Sequence, residues 1–358
     1  MAAPRTHPIR VLVVDDSPTA RDLISALIAA DSRLTVCGQA EDGRAAVLQA
    51  QTLRPDLVTM DLRMPEMDGL QAIAEIMDRC ATRILVVSDA ADAANAMAAV
   101  ARGALDATFK PSLDDGPAFT ARLRMLAGVP VIRHLRSLAE AGPVALDLGQ
   151  GGGVAGSGGP VIAIAVSTGG PQALAQLLPA LPIGLPAPVL IAQHISDGFA
   201  EGMAQWLDTL CPLAVTVARH GEALLPGHIY LADPASHMTL APGDLIRLDP
   251  CSPADRYRPS CDRLLHSVAA IGARAIGLIL TGMGRDGARG MAAIAAAGGV
   301  TLAQDEATSV VFGMNREAIL AGGIQRVLPL EAIAGELIRL AERMRRPLVK
   351  LAMAGAGA

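Results

Sequence analysis

The stretch from Val161 to Ala173 brings a serine to a position where it could act as a nucleophile. Residues 161–166 form an apolar, β-branched run typical of a strand buried on both faces, and the run ends abruptly at Ser167. Pro171 suits the first turn of a helix that follows directly. We therefore expect Ser167 at a helix N-terminus, where free N–H groups could stabilise an oxyanion while the hydroxyl attacks a carbonyl.

The same stretch approximates the Gly-x-Ser-x-Gly turn on which many hydrolases carry their nucleophile, but Ala165 replaces the first glycine. Taken alone, it is equally compatible with a Gly/Ser phosphate-binding loop or with a simple strand-to-helix turn. The choice between these interpretations depends on partner residues elsewhere in the chain.

Two such partners follow other apolar strands that run into helices. His194 comes after the apolar residues 189–192, and Asp286 comes after the strongly apolar residues 275–280. The carboxyl ends of parallel strands meet at one edge of a sheet, so Ser167, His194 and Asp286 should lie close together. A serine hydroxyl needs a histidine to take its proton, and the histidine needs a carboxylate to fix its tautomer. The spacing predicts a hydrolytic triad of nucleophile, base and orienting acid.

Residues 282–287 also match Gly-x-Gly-x-x-Gly, the dinucleotide-binding fingerprint. We reject that interpretation because no clear βαβ unit ending in an acidic ribose ligand follows: the next strand is 299–303, and Asp305 lies beyond its end. The six other histidines fall in predicted loops or on exposed helix faces, where a structural role is expected.

The first 125 residues contain a second set of polar residues at strand ends. Five short apolar strands alternate with helices, which predicts a parallel, doubly wound sheet. The polar residues at the carboxyl ends of those strands are Asp15, Asp16, Asp61, Ser88 and Lys110. Three clustered carboxylates repel one another unless a hard cation such as Mg²⁺ joins them, and a lysine and a serine suit an adjacent phosphoryl group.

The motifs VLVVDDSP, MDLRMPEMDG, VVSDA and TFKP resemble the receiver domain of two-component response regulators over residues 9–127. The resemblance implies that Asp61 accepts a phosphoryl group from a histidine kinase. It also implies that Asp15, Asp16 and Asp61 bind Mg²⁺, and that Ser88 and Lys110 bind the phosphoryl oxygens. Receivers usually carry Tyr or Phe three residues before this lysine, whereas this chain has Ala107.

Six motifs of the second half, in order, resemble the chemotaxis-type protein-glutamate methylesterases of the CheB family: STGGPQAL, QHISDGF, GEALLPGHIYLADPASHM, YRPSCDRLL, LTGMGRDGA and AQDEATSVVFGM. The resemblance implies that Ser167 is the nucleophile, His194 the general base and Asp286 the orienting carboxylate. Backbone amides near Thr168 and Met283 are then the oxyanion donors. The family usually has Gly in place of Ala165, and Met-Pro in place of residues 195–196.

Composition excludes several classes of partner. The net charge is −5 and only 2% of the residues are aromatic, so the chain lacks the basic patch and stacking platforms that nucleic-acid binding needs. Five scattered cysteines show no C-x-x-C pair or His/Cys cluster at zinc-ligand spacing, and we expect free buried thiols. The chain shows neither a signal peptide nor an apolar run of about 18 residues, so we expect a cytoplasmic protein without membrane insertion.

The sequence thus predicts an α/β protein with two doubly wound parallel-sheet domains. The predicted domains are a flavodoxin-like receiver over 9–127, a flexible Gly-rich linker over 128–160, and a Rossmann-like hydrolytic domain with a β-hairpin insertion over 161–348. The resemblance implies demethylation of glutamate methyl esters on chemoreceptors and deamidation of receptor glutamines, with Mg²⁺ for phosphorylation and no cofactor for the esterase. Two alternatives stay open: a receiver-gated hydrolase of a non-chemotaxis, chemosensory-like pathway that acts on another protein, and a phosphorylation-switched binding module without activity.

Overall fold

The computed structural model describes residues 7–89, 93–129, 158–252 and 254–354, which form two compact units divided between residues 141 and 142. Most of the predicted linker, 128–160, lies outside the described residues, so its flexibility stays a prediction. Across the described ranges, no helix combines the length and the apolar character needed to cross a lipid bilayer.

The first unit is a five-stranded sheet with alternating helices. Its strands are β1 (Ile9–Val14), β2 (Leu34–Ala40), β3 (Leu57–Met60), β4 (Arg83–Ser88) and β5 (Asp106–Phe109). Its helices are α1 (Pro18–Ala29), α2 (Gly43–Leu53), α3 (Gly69–Cys80), α4 (Ala93–Ala101) and α5 (Gly116–Leu126). The first three helices begin at polar caps: the side chains of Ser17, Asp42 and Asp68 each accept a backbone N–H of the first turn.

All strands of this sheet are parallel, in the order β2-β1-β3-β4-β5. The chain winds outward in both directions from the pair β1 and β3, so a crevice opens beyond their carboxyl ends. Asp15 and Asp61, which follow these two strands directly, therefore face each other across the switch point. The predicted doubly wound receiver fold is confirmed.

The second unit has a larger sheet and a separate hairpin. Its strands are β6 (Val161–Val166), β7 (Val189–Gln193), β8 (Ala214–Val217), β9 (His228–Leu231), β10 (Ser236–Ala241), β11 (Leu245–Pro250), β12 (Ala275–Ile279), β13 (Val300–Gln304) and β14 (Arg326–Leu328). Its helices are α6 (Gly170–Leu177), α7 (Ala200–Leu210), α8 (Cys261–Ala269), α9 (Ala288–Ala296), α10 (Met314–Leu320) and α11 (Leu330–Ala354).

Seven strands form one parallel sheet in the order β14-β13-β12-β6-β7-β9-β8. The central strand β6 is buried along its whole length, as its uninterrupted apolar run predicts. Helices α8 and α9 pack Cys261, Leu265, Met291 and Ile294 into the core on one face of this sheet. The predicted parallel α/β architecture is confirmed for this unit too.

The irregular section over 228–248 is only partly the hairpin region that the sequence suggests. Strands β10 and β11 form the antiparallel hairpin, but β9 joins the main sheet, parallel to both β7 and β8. The segment between β8 and β9 forms no helix because its backbone bonds to the hairpin instead: Gly221 N donates to Ile246 O (2.8 Å), and Leu224 N donates to Asp244 O (3.0 Å). A short helix that the sequence analysis lacked, α10, follows β13.

Candidate active site

The predicted triad lies where the winding of the larger sheet reverses. Strands β6 and β12 are neighbours, and the chain winds outward from them in opposite directions, which creates a crevice beyond their carboxyl ends. Ser167 follows β6, His194 follows β7 on one side, and the loop from Leu280 to Gly287 follows β12 on the other. The topology therefore brings the three predicted residues to one edge of the sheet.

Ser167 is held by its own backbone and is 8% exposed. Its N–H donates to the carbonyl of Thr281 (3.0 Å), in the loop after β12. The buried side-chain amide of Gln193 donates to the carbonyls of both Ser167 (2.8 Å) and His194 (2.8 Å). Gln193 thus fixes the ends of β6 and β7 relative to each other, a role that the sequence analysis missed.

Two glycines permit close approach around the serine. A Cβ on Gly282 would lie 2.7 Å from the Cβ of Ser167, so only glycine lets the loop after β12 pack against this serine. Gly169 adopts a φ of 78°, and a Cβ there would lie 2.4 Å from Cβ of Val310. The glycines of STGG, after β6, and of TGMG, after β12, thus allow close contact between loops that are distant in sequence.

His194 and Asp286 form a direct hydrogen bond. Nε2 of His194 lies 2.8 Å from Oδ2 of Asp286, and their side chains are 14% and 2% exposed. Burial raises the pKa of the Asp286 carboxyl. The hydrogen bond and charge interaction with His194, together with hydrogen bonds from backbone N–H groups, lower the pKa by more, so it lies below its usual value. The acid is therefore an anion at neutral pH and accepts the Nε2 proton.

This contact determines the tautomer of His194. Because Nε2 carries the proton donated to Asp286, Nδ1 is the only ring nitrogen with a free lone pair. The phenol ring of Tyr257 stacks on the imidazole with a centroid distance of 5.2 Å and an interplanar angle of 11°. The ring of His194 is thus held by a carboxylate at one nitrogen and by an aromatic face.

Asp286 also accepts hydrogen bonds from the start of α8. The N–H groups of Cys261 (2.7 Å) and Asp262 (2.9 Å) and the hydroxyl of Ser260 (3.2 Å) point at its two oxygens. Asp262 in turn accepts the N–H groups of Gly287 (3.0 Å) and Gly290 (2.9 Å) at the start of α9. Asp286 therefore caps α8, the helix that carries Asp262, and Asp262 caps α9, the helix that follows Asp286; the positive helix ends favour both anions.

Each predicted oxyanion donor is the backbone N–H that follows one already hydrogen-bonded within the protein. The N–H of Ser167 is bound to Thr281, and the N–H of Gly282 donates to Val311 O (2.9 Å). The next amide in each loop belongs to Thr168 and to Met283. Thr168 is buried, whereas the Met283 side chain is 47% exposed, so the loop after β12 has one apolar side chain at the surface.

Two expectations about other residues are wrong. His237 is on strand β10 and is 1% exposed, not in an open loop: its Nε2 contacts Asp255 Oδ2 (2.9 Å), and its Nδ1 accepts the N–H of Ser260 (3.0 Å). The five cysteines are free, but only Cys261 is buried. Burial of His237 depends on how the hairpin packs, which no local pattern reveals, whereas Cys261 lies on the apolar face of α8 at helical spacing from Leu264 and Leu265.

In the first unit, Lys110 lies between two buried carboxylates. Its Nζ is 2.9 Å from Asp15 Oδ2 and 3.0 Å from Asp61 Oδ2. Burial and the charge of Asp15 raise the pKa of Asp61, although Lys110 opposes them. Burial lowers the pKa of Lys110, but the two carboxylates outweigh it and raise the pKa overall. The site holds more negative charge than one lysine neutralises.

These residues fit the Mg²⁺ that the receiver resemblance implies. Oxygens of Asp15, Asp16 and Asp61 lie within 4.8 Å of one another, and an all-carboxylate donor set suits a hard cation. Ser88 is fully buried at the end of β4. Ala107, in the position of the usual aromatic residue, is 4% exposed and pairs with Val86 in the sheet.

Family models match both units. The response regulator receiver domain matches residues 11–124, and the CheB methylesterase family matches residues 162–337. Among solved structures, the chain is similar to the CheB methylesterase catalytic domain of Thermotoga maritima, with 37% identity over 51% of this chain and 98% of that one and a TM-score of 0.49.

Curated relatives match nearly the whole chain. One, from Paramagnetospirillum magneticum, is 47% identical over 346 residues, which cover 94% of this chain and 97% of the relative. Another, from Anaeromyxobacter dehalogenans, is 45% identical over 93% of this chain and 97% of its own length. Both bear the name protein-glutamate methylesterase/protein-glutamine glutaminase.

Proposed function

The chain belongs to the CheB methylesterase family and carries an N-terminal receiver domain, and we propose that it hydrolyses glutamate methyl esters and deamidates glutamines on chemoreceptors. The observation that carries the proposal is the hydrogen bond between His194 and Asp286 at the edge of the sheet that also presents Ser167. A buried carboxylate on one imidazole nitrogen is what a serine hydrolase needs to keep the other nitrogen basic.

We propose the following roles for these residues. Nδ1 of His194 accepts the hydroxyl proton as Ser167 Oγ attacks the ester carbonyl, and Asp286 stabilises the resulting imidazolium. The N–H groups of Thr168 and Met283 bind the oxyanion of the tetrahedral intermediate. His194 then returns the proton to the departing methoxide, which leaves as methanol.

Water completes the reaction. His194 takes a proton from water, the hydroxide attacks the acyl carbon, and the proton returns to Ser167 as the glutamate is released. A glutamine side chain follows the same route and releases ammonia in place of methanol. The esterase steps therefore need only the protein and water.

A histidine kinase is the proposed phosphoryl donor, in the cytoplasm, and Asp61 the acceptor. Asp15, Asp16 and Asp61 would hold Mg²⁺, which neutralises negative charge on the incoming phosphoryl group. Lys110 and Ser88 then bind the phosphoryl oxygens. Methanol release from methylated receptor, measured with and without phosphorylation, tests the whole proposal, and Ser167-dependent release from a different protein would favour the alternative substrate.

Asp61→Asn is expected to abolish phosphorylation by the kinase. The amide cannot form the acyl phosphate, and the cluster loses one of its three carboxylates. Transfer of labelled phosphate from the kinase is the measurement. Asp16→Asn is the control: it lowers the affinity for Mg²⁺ but keeps the acceptor Asp61, so a higher Mg²⁺ concentration should restore labelling. Labelling of Asp61→Asn within residues 1–127 would contradict the assignment.

Deleting residues 1–150 is expected to raise the activity of the unphosphorylated enzyme. We propose that the receiver restrains the hydrolytic domain through a weak interaction that phosphorylation releases. A coupling of about 1–3 kcal/mol gives an increase of about 5–150-fold, and Ala107 in place of the usual aromatic residue favours the lower end. Methanol release by the full chain and by 151–358 is compared after both are shown to be folded by circular dichroism. Equal rates of methanol release for the two proteins would contradict restraint by the receiver and would indicate that its role is targeting.

A further inference from the structure

The thiol of Cys261 lies directly against the His194–Asp286 pair. Its Sγ is 3.5 Å from His194 Nε2 and 3.3 Å from the carbonyl of Ala192. One ligand atom from each of His194, Cys261 and Asp286 lies within 4.8 Å of the others. We propose that these three side chains form a binding site for Zn²⁺, and that the bound ion inhibits the hydrolase.

The ligand atoms lie close to the spacing of a tetrahedral zinc site, since all three are within 4.8 Å of one another. Zinc bonds of about 2.0–2.3 Å in a tetrahedral site put neighbouring ligand atoms about 3.3–3.6 Å apart. The Sγ to Nε2 distance is 3.5 Å, and the Nε2 to Oδ2 distance is 2.8 Å. A shift of about half an ångström between the imidazole and the carboxylate is enough to admit the ion at these bond lengths. The His194 side chain is 14% exposed, so the ion would enter past this ring, and a water completes the coordination.

Asp286 is already oriented as a ligand by its surroundings. Its Oδ1 accepts the hydroxyl of Ser260 (3.2 Å) and the N–H of Asp262 (2.9 Å), while Oδ2 accepts the backbone N–H of Cys261 (2.7 Å) and lies 2.8 Å from His194 Nε2. Such outer hydrogen bonds fix the ligands of natural zinc sites and strengthen metal binding. The start of α8 therefore contributes both a ligand, Cys261, and the groups that orient another.

Binding moves two protons. A thiolate is the zinc ligand, so Zn²⁺ displaces the Sγ proton of Cys261 to water. The proton on Nε2 of His194 must also leave, and the neutral ring keeps one proton by taking it up at Nδ1 from water. The net release is one proton per ion.

The change of tautomer explains inhibition, and this step rests on the proposed function. With Nε2 bound to the metal and Nδ1 protonated, the imidazole has no lone pair left to accept the proton of Ser167. Asp286 is engaged by the ion at the same time. Zn²⁺ is therefore expected to block acylation, whereas Mg²⁺, which prefers oxygen ligands, is not.

A second cluster in the same domain provides a matched control. His237, Cys251 and Asp255 also bring three ligand atoms within 4.8 Å. However, Nδ1 of His237 already accepts the N–H of Ser260 (3.0 Å), so its single proton is on Nε2. A metal on Nε2 would leave this ring without a proton, which neutral imidazole ligands avoid. We therefore assign this cluster to hydrogen bonding alone.

Co²⁺ titration of the full chain tests the site independently of its activity. With excess Mg²⁺ to occupy the receiver carboxylates, the wild-type protein should develop the near-ultraviolet absorption of a Co²⁺–thiolate bond, and Zn²⁺ should abolish it. Cys261→Ala and His194→Ala should each weaken Co²⁺ binding at least about tenfold, and Cys251→Ala should not. The two ligand variants are independent, so either one decides the test if the other does not fold. Absence of the band in wild type, its persistence in the folded ligand variants, or its loss in Cys251→Ala would overturn the site.

Inhibition is measured separately, relative to the basal rate of each variant. Zn²⁺ should inhibit methanol release by wild type and Cys251→Ala at the same concentration, and Cys261→Ala should need at least about tenfold more. Equal inhibition of Cys261→Ala, or Co²⁺ binding without inhibition by Zn²⁺, would overturn the inhibitory role. If the wild type releases no methanol at all, the proposed function has failed, while the Co²⁺ titration still decides the metal site.

Discussion

Replacing Ser167 by alanine is expected to lower kcat by about a millionfold while the fold is retained, because removal of a triad nucleophile abolishes the acyl-enzyme route. The side chain is small, and the contacts that hold the residue are made by its backbone: its N–H to Thr281 and its carbonyl to Gln193. Both remain in the alanine variant. Methanol release from methylated receptor and labelling by a fluorophosphonate probe measure the two consequences, loss of turnover and loss of the nucleophile.

Ser196→Ala is the matched control, because it removes a hydroxyl two residues from His194 without touching the nucleophile. We expect normal labelling and a change in rate of less than about tenfold for this variant. Activity above one hundredth of wild type in folded Ser167→Ala would contradict the assignment. Strong probe labelling of the wild-type serine would argue against a binding module without activity.

Replacing Asp286 by asparagine is expected to lower kcat by about ten-thousandfold, because an amide cannot fix the imidazole in the tautomer with a proton on Nε2. The carboxylate Oδ2 accepts from both His194 and Cys261, and Oδ1 accepts from Asp262. An asparagine has one carbonyl oxygen for these two positions, so at least one buried N–H loses its acceptor, at a cost of about 1–3 kcal/mol in unfolding free energy. Rate and stability should therefore both fall.

Asp262→Ala separates the two effects. The Oδ1 of this carboxylate accepts the N–H groups of Gly287 and Gly290 at the start of α9, and its Oδ2 binds Arg289 and not His194. Because alanine removes the acceptor of both N–H groups, we expect a comparable loss of stability in urea denaturation but a rate within about tenfold of wild type. If Asp262→Ala lost activity as severely as Asp286→Asn, the carboxylate at 286 would be needed for the shape of the loop and not for the base.

The sequence by itself determined most of the elements, with α10 and the place of β9 as exceptions, and the edge on which the chemistry lies. Uninterrupted apolar runs such as 161–166 are typical of strands buried on both faces, and caps such as Ser17 and Ser260 mark helix starts through local hydrogen bonds. Because parallel strands present their carboxyl ends on one side, polar residues that follow separate strands could be assigned to a common site. That reasoning predicted the neighbourhood of His194 and Asp286, which are 92 residues apart in the chain.

Only the tertiary structure decided which atoms meet. Gln193 and Cys261 contact the candidate site because β7 lies beside β6 and α8 points its start at Asp286, and neither contact leaves a periodic signal in the sequence. The same holds for β9, whose place in the sheet depends on hydrogen bonds between residues 221–224 and the hairpin. Periodicity and capping are local properties, whereas strand order, the buried environment of a thiol and the imidazole nitrogen that faces a carboxylate depend on packing between distant segments.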